Sequence, residues 1–237
     1  MDKVLIAKNI TREGPGLLKE LLDGHGISYD IVDLDKGEQF PSPAEYSAVC
    51  VFGGPDSAND STPKMKKELS RITETVKAGI PYLGVCLGMQ TLVKAMGGEV
   101  YGNPVREIGL RDPEGNYFEV STTGSGKADP LFSGISSPYK IFHLHGETVK
   151  LTSGMELIGR GKWCENQVVH IKGKPAYGIQ GHLELTPQMF EDWLAQDPDL
   201  ATLDAAKLRK DYGDFRAAYE KNGRRMLTNF LSIARLI

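Results

Sequence analysis

Cysteine is scarce in these 237 residues: Cys50, Cys86 and Cys164 are odd in number and far apart. That argues against a disulfide framework and fits a reducing, cytoplasmic setting. An excess of positive charge is also lacking. The formal net charge is -3, so there is no basic field for nucleic acid or an anionic membrane. No apolar run approaches the ~20 residues of a bilayer span. Met1 to Ile6 enters a strand pattern directly, without the features of a signal peptide. Repeats, low-complexity tracts and obvious linkers are missing too. One domain over 1–237 is therefore expected, its core ending near 190 and a helical extension covering about 187–237. The remainder, 40% hydrophobic and 25% charged, is ordinary for a globular chain that buries a core.

Apolar runs and helical periodicities alternate through the first hundred residues. Val4 to Ala7, Ser28 to Val32, Ala48 to Phe52 and Ile80 to Val85 read as strands. Leucines at 17, 18, 21 and 22, closed by Gly24 and Gly26, mark one helix. Thr62 to Ala78, opened by Pro63, marks a second. This alternation predicts an α/β fold with a mainly parallel central sheet and helices on both faces. After Gly98 the pattern changes. Glu107–Leu110 and Tyr117–Val120 flank a turn at 112–116 and predict a hairpin, as do Val168–Ile171 and Ala176–Gln180 around 172–174. With Tyr139–Phe142 and Glu156–Gly159 they predict an antiparallel extension of the sheet. From Pro187 onward three helical segments are expected, around Trp193, over Leu208–Tyr219 and over Met226–Ile233.

Function in such sheets sits at the carboxyl ends of the strands. The fourth strand ends at Cys86, and a helical pattern begins at once. Gly84 and Gly88, two places either side, let strand and helix approach closely around a strained turn. A thiol there faces a helix N-terminus, whose dipole favours the thiolate. The alternative is a small buried hydrophobe. A thiol nucleophile also needs a base and a group to orient that base. Two histidines open a His-x-Glu pattern, His145-Gly146-Glu147 and His182-Leu183-Glu184. Spacing does not separate them, but His182 directly follows the strand Ala176–Gln180, which favours it. Gly53-Gly54-Pro55, at the end of the third strand, offers bare amides for an oxyanion, with Leu87 as second donor. His143, His145, Cys164 and His170 match no compact zinc spacing.

Together these residues resemble the class I (triad) glutamine amidotransferase family. Gly84-Val85-Cys86-Leu87-Gly88-Met89-Gln90 is similar to its nucleophile motif, and Gly53-Gly54-Pro55 to its oxyanion loop. Gly178-Ile179-Gln180-Gly181-His182-Leu183-Glu184 is similar to its histidine–glutamate motif. Phe142 to Glu147 resembles the segment that contacts glutamine. Arg106 to Gly109, Lys127 to Phe132 and the helical tail resemble the free-standing branch related to the glutaminase part of GMP synthase. The resemblance implies a flavodoxin-like fold and a mechanism. Cys86 attacks the glutamine amide, His182 moves the proton, and Glu184 orients His182. Gly54 and Leu87 amides hold the oxyanion. Gln90, Leu144 and His145 hold the substrate, and no metal or organic cofactor is needed. The family's bulky aromatic before the histidine and proline after it are Gly181 and Leu183 here, which predicts a looser backbone at the base.

Three functions compete on these residues. The first is glutamine hydrolysis, with ammonia passed to a separate synthetase chain. The second is hydrolysis of gamma-glutamyl peptides or conjugates. The third is a non-catalytic binding or regulatory module on the same fold. A nucleic-acid or membrane role finds no support in composition.

Overall fold

The computed structural model describes residues 3–237, so Met1 and Asp2 of the expected first strand lie outside the described residues. The chain runs β1 (Lys3–Lys8), α1 (Gly16–His25), β2 (Ser28–Asp33), β3 (Ala48–Val51), α2 (Pro63–Ala78), β4 (Tyr82–Val85) and α3 (Leu87–Ala95). It continues through β5 (Glu99–Gly109), β6 (Glu119–Thr122), β7 (Tyr139–Lys140), β8 (His143–Lys150), β9 (Met155–Arg160), β10 (Val168–Ile171) and β11 (Ala176–Ile179). It ends in α4 (Pro187–Gln196) and α5 (Ala205–Ile233).

Local chemistry sets the helix ends. Thr62 caps α2 by accepting from Met65 N–H, Pro63 takes a position that needs no donor, and Gly79 closes it at φ 74°. A nine-stranded sheet is ordered β2-β1-β3-β4-β11-β10-β9-β6-β7. Strands β2, β1, β3, β4 and β11 run parallel. From β10 outward the pairing is antiparallel. Alternation along β1 splits the core: Val4 and Ile6 pack with α1 and the end of α5, Leu5 and Ala7 with α2 and α3. The α/β sheet with helices on both faces is thus the observed architecture, and its antiparallel half follows the expected extension.

Two expectations are corrected. The turn at 112–116 forms, with Asp112 N–H donating to Asn116 O at 2.8 Å and Phe118 N–H to Leu110 O at 3.0 Å, but the hairpin is short: its arms pair through one isolated antiparallel bridge, Arg111 to Tyr117, and do not continue as a ladder. Gly109, at φ 84°, turns the first arm away. That arm is the end of β5, which pairs with β8 as a separate two-stranded ribbon, while the second arm leads into β6 in the main sheet. The second and third tail segments are one helix, α5, running through Gly223. A Cβ on Gly223 would lie 2.3 Å from the Leu183 carbonyl oxygen. The glycine therefore serves close packing against the segment after β11 rather than a helix stop.

Candidate active site

Cys86 alone makes the reversal from β4 to α3. Its backbone sits at φ 53°, ψ -111°, a conformation costing about 1–3 kcal/mol outside glycine. Cys86 N–H donates to Ile179 O at 2.8 Å, and Met89 and Gln90 N–H donate to Cys86 O at 2.9 and 3.1 Å, which fixes the strain in place. The flanking glycines are required by backbone contact. A Cβ on Gly84 would lie 2.2 Å from Gly88 O, and one on Gly88 would lie 2.1 Å from Val51 O. Tyr82 hydroxyl donates to Gly88 O at 2.8 Å and ties strand to helix.

Parallel pairing of β11 with β4, Ile179 opposite Val85, brings the segment after β11 beside the cysteine. His182 and Glu184 there are fully buried. His182 Nδ1 lies 2.8 Å from Glu184 Oε1, and His182 Nε2 has no hydrogen-bond partner among the described residues. Burial opposes a charge on this ring, but Glu184 and the Cys86 sulfur outweigh it and hold the imidazolium well above the ordinary histidine range. The arrangement can therefore hold a proton on His182 beside the Cys86 sulfur, with Nε2 as the ring nitrogen left free of Glu184.

The expected looseness at Gly181 and Leu183 is not found. Gly181 is buried, and a Cβ on it would meet Ile141 Cδ1 at 2.7 Å and His143 Cε1 at 2.8 Å. These side chains occupy the space a larger residue would take. His182 N–H donates to Phe142 O at 2.8 Å, Tyr219 hydroxyl donates to His182 O at 3.0 Å, and Trp193 packs edge-on at 4.8 Å. Leu183 N–H donates to Glu184 Oε2 at 2.8 Å, a bond proline cannot make. Leu183→Pro is accordingly expected to destabilise the chain by about 1–3 kcal/mol, the cost of leaving a buried carboxyl oxygen without its donor. A thermal melting curve against wild type checks this.

The structure separates the two His-x-Glu patterns. His145 Nε2 lies 2.7 Å from Glu107 Oε2, placed across the β5–β8 ribbon, and His145 Nδ1 lies 3.0 Å from the backbone oxygen of Glu147. The Glu147 carboxylate instead accepts from Ser57 hydroxyl at 3.0 Å. Gln167 amide also donates to Glu107, at 2.8 Å. His143 packs beside them, and burial pushes it down to about 3, with Glu107 opposing. Glu107, His143 and His145 offer ligand atoms within 4.8 Å of one another. Cys164 and His170 stand apart from that group, bonded to Thr148 and Asp129.

A cleft of about 360 Å³ opens over the cysteine, lined by Gly54, Gln90, Leu144 and His145 among others. Gln90 amide donates to Glu147 O at 3.2 Å. The rim carries Arg106, bonded to Asp199 at 2.6 Å. Leu87 is buried, and as first residue of α3 it has an amide the helix cannot pair. All eight residues singled out from sequence therefore converge: five line the cleft, and His182, Glu184 and Leu87 lie behind it. Sequence reading missed Asn9 and Glu13, both buried in the loop after β1. Asn9 amide donates to Phe52 O at 3.2 Å and to Glu68 Oε1 at 3.1 Å, and a Cβ on Gly54 would lie 2.6 Å from Asn9 Cβ. The signal was present, since this loop leaves the carboxyl end of a central strand.

Comparison with known proteins gives the family and the fold. The sequence profile of "Glutamine amidotransferase class-I" matches residues 17–197. The glutamine amidotransferase-like protein YfeJ of Salmonella typhimurium is 28% identical over 82% of this chain and 80% of its own length. GMP synthase [glutamine-hydrolyzing] of Thermosipho melanesiensis is 29% identical over 70% of this chain, which spans only 29% of that enzyme. The crystal structure of a glutamine amidotransferase from Methylobacillus flagellatus superimposes with a TM-score of 0.86 at 26% identity, covering 98% of this chain and 95% of that one.

Proposed function

The chain belongs to the class I glutamine amidotransferase family, related to the glutaminase part of GMP synthase, and from that premise we propose that it hydrolyses the side-chain amide of glutamine through a Cys86–His182–Glu184 triad. Cys86 attacks the amide carbon. His182 takes the thiol proton and returns it to the leaving ammonia, and Glu184 holds the imidazolium and its tautomer. Amides of Gly54 and Leu87 receive the oxyanion. Water, activated by His182, then opens the glutamyl thioester. Gln90, Leu144 and His145 hold the amino-acid end of the substrate. In this reading the C-terminal helices form one unit with the sheet, since Tyr219 of α5 bonds both His182 O and Leu185 N–H.

The observation that supports the reading most is the buried His182, bonded to Glu184 on one nitrogen and unpaired on the other beside a strained cysteine. A separate ammonia-accepting synthetase chain is the partner it calls for. Arg106 favours a second reading. Its guanidinium stands at the cleft rim, 58% exposed, and suits the carboxylate of a residue attached beyond the gamma-glutamyl group. Glutamate release from glutamine and from a gamma-glutamyl dipeptide panel tests both. Turnover of glutamine supports an amidotransferase. Turnover of the dipeptides alone, lost in Arg106→Ala, replaces it with a peptide hydrolase.

A further inference from the structure

Glu13 is a buried carboxyl that the triad mechanism leaves unused. It sits in the β1–α1 loop, 4% exposed, and its Oε2 has no hydrogen-bond partner among the described residues. Its position is specific. A Cβ built on Gly53 would lie 2.1 Å from Glu13 Oε2, 3.2 Å from His182 Cε1 and 3.3 Å from Cys86 Cβ. The carboxyl, the base and the nucleophile thus meet at the α-carbon of the glycine that precedes Gly54. Arg12, the neighbouring cation, does not neutralise it by contact, because its guanidinium is bonded to Asp197 at 2.6 Å. The loop itself is pinned, since Trp193 Nε1 donates to Arg12 O at 3.1 Å while its ring packs on His182.

We infer that Glu13 is a positioning residue of the hydrolysis proposed above, acting as a neutral carboxyl that backs the Gly53–Gly54 loop and whose ionisation slows attack on the substrate. An unpartnered buried oxygen is tolerated far better on a neutral acid than on a carboxylate. During attack, negative charge leaves the Cys86 sulfur and develops on an oxygen held by the loop. A second negative charge behind Gly53 opposes that movement. The groups facing Glu13 act in both directions. Burial raises it to about 7, His182 and Arg12 lower it, and Glu184 and Asp197 raise it. The carboxyl is therefore neutral at pH 6 and ionised above pH 8.

The experiment is the pH profile of kcat/KM for glutamine in the wild type and Glu13→Gln. The wild type is expected to fall about tenfold between pH 6 and pH 8.5, the effect of a like charge at that distance in partly screened surroundings. Glu13→Gln is expected to lose that limb, its kcat/KM changing less than about twofold between pH 6 and pH 8.5 whatever its level. Superimposable profiles would overturn the inference. A second readout does not depend on turnover. The melting temperature of Glu13→Gln relative to wild type should rise from pH 5 to pH 8.5, because a raised carboxyl stabilises the fold at low pH and loses that stability as pH passes through about 7. A difference that does not change with pH would also overturn it. If the wild type released no glutamate, the proposed function would fall while this melting test still decided on Glu13.

Discussion

Glu184→Gln lowers kcat for glutamine by about 10³- to 10⁴-fold, the scale set by the same change in other nucleophile–histidine–acid triads. The reason lies in the two bonds Glu184 makes. Its Oε2 accepts from Leu183 N–H at 2.8 Å and its Oε1 faces His182 Nδ1 at 2.8 Å. In glutamine the amide oxygen must go to the Leu183 donor. The NH2 group then points at His182 Nδ1 and forces that nitrogen to accept. The ring proton moves to Nε2, and the base can no longer take a proton from Cys86. The shape of the site is kept, so the melting curve should shift little and KM should change less than kcat. Steady-state kinetics with the variant at pH 7 check this, and a loss below tenfold would remove Glu184 from the mechanism.

The second large effect is on stability. Gly88→Ala sets a Cβ 2.1 Å from Val51 O and 2.8 Å from Val51 C, both in the backbone of a central strand. No side-chain rotation relieves that contact. A loss of about 3 kcal/mol or more is expected, equivalent to a fall of roughly 6–12 °C in melting temperature for a chain of this size. Gly102→Ala is the control, because a Cβ there meets nothing within 4 Å. Thermal unfolding of both variants decides the point, and equal melting temperatures would deny the close strand–helix contact.

The elbow at Cys86 was legible because several local signals coincide there: an apolar run, an immediate switch of period, and two spaced glycines. The parallel half of the sheet was legible because β3, β4 and β11 are short apolar runs, with helical periodicity between the first strands of the chain. The β5–β8 ribbon was not. Gly102, Asn103 and Pro104 interrupt its first strand, and the pairing that joins Glu107 to His145 is long-range. Periodicity carries no information about such partners. Which His-x-Glu pattern forms the dyad was only favoured by context, and the answer depends on that same ribbon, which engages His145 with Glu107. Gly181 and Leu183 were read against local rules of backbone freedom. Their tightness comes from Ile141, His143 and Tyr219, residues distant in sequence. Asn9 and Glu13 were overlooked because the position of their loop at a strand's carboxyl end does not say which of its polar residues are buried.

The most direct test of Cys86 as the nucleophile of a glutamine-hydrolysing triad is glutamate release from glutamine by the purified chain, wild type against Cys86→Ala. Measurable turnover by the wild type, reduced at least 10⁴-fold in the variant, is predicted. Equal release by the two proteins would contradict it.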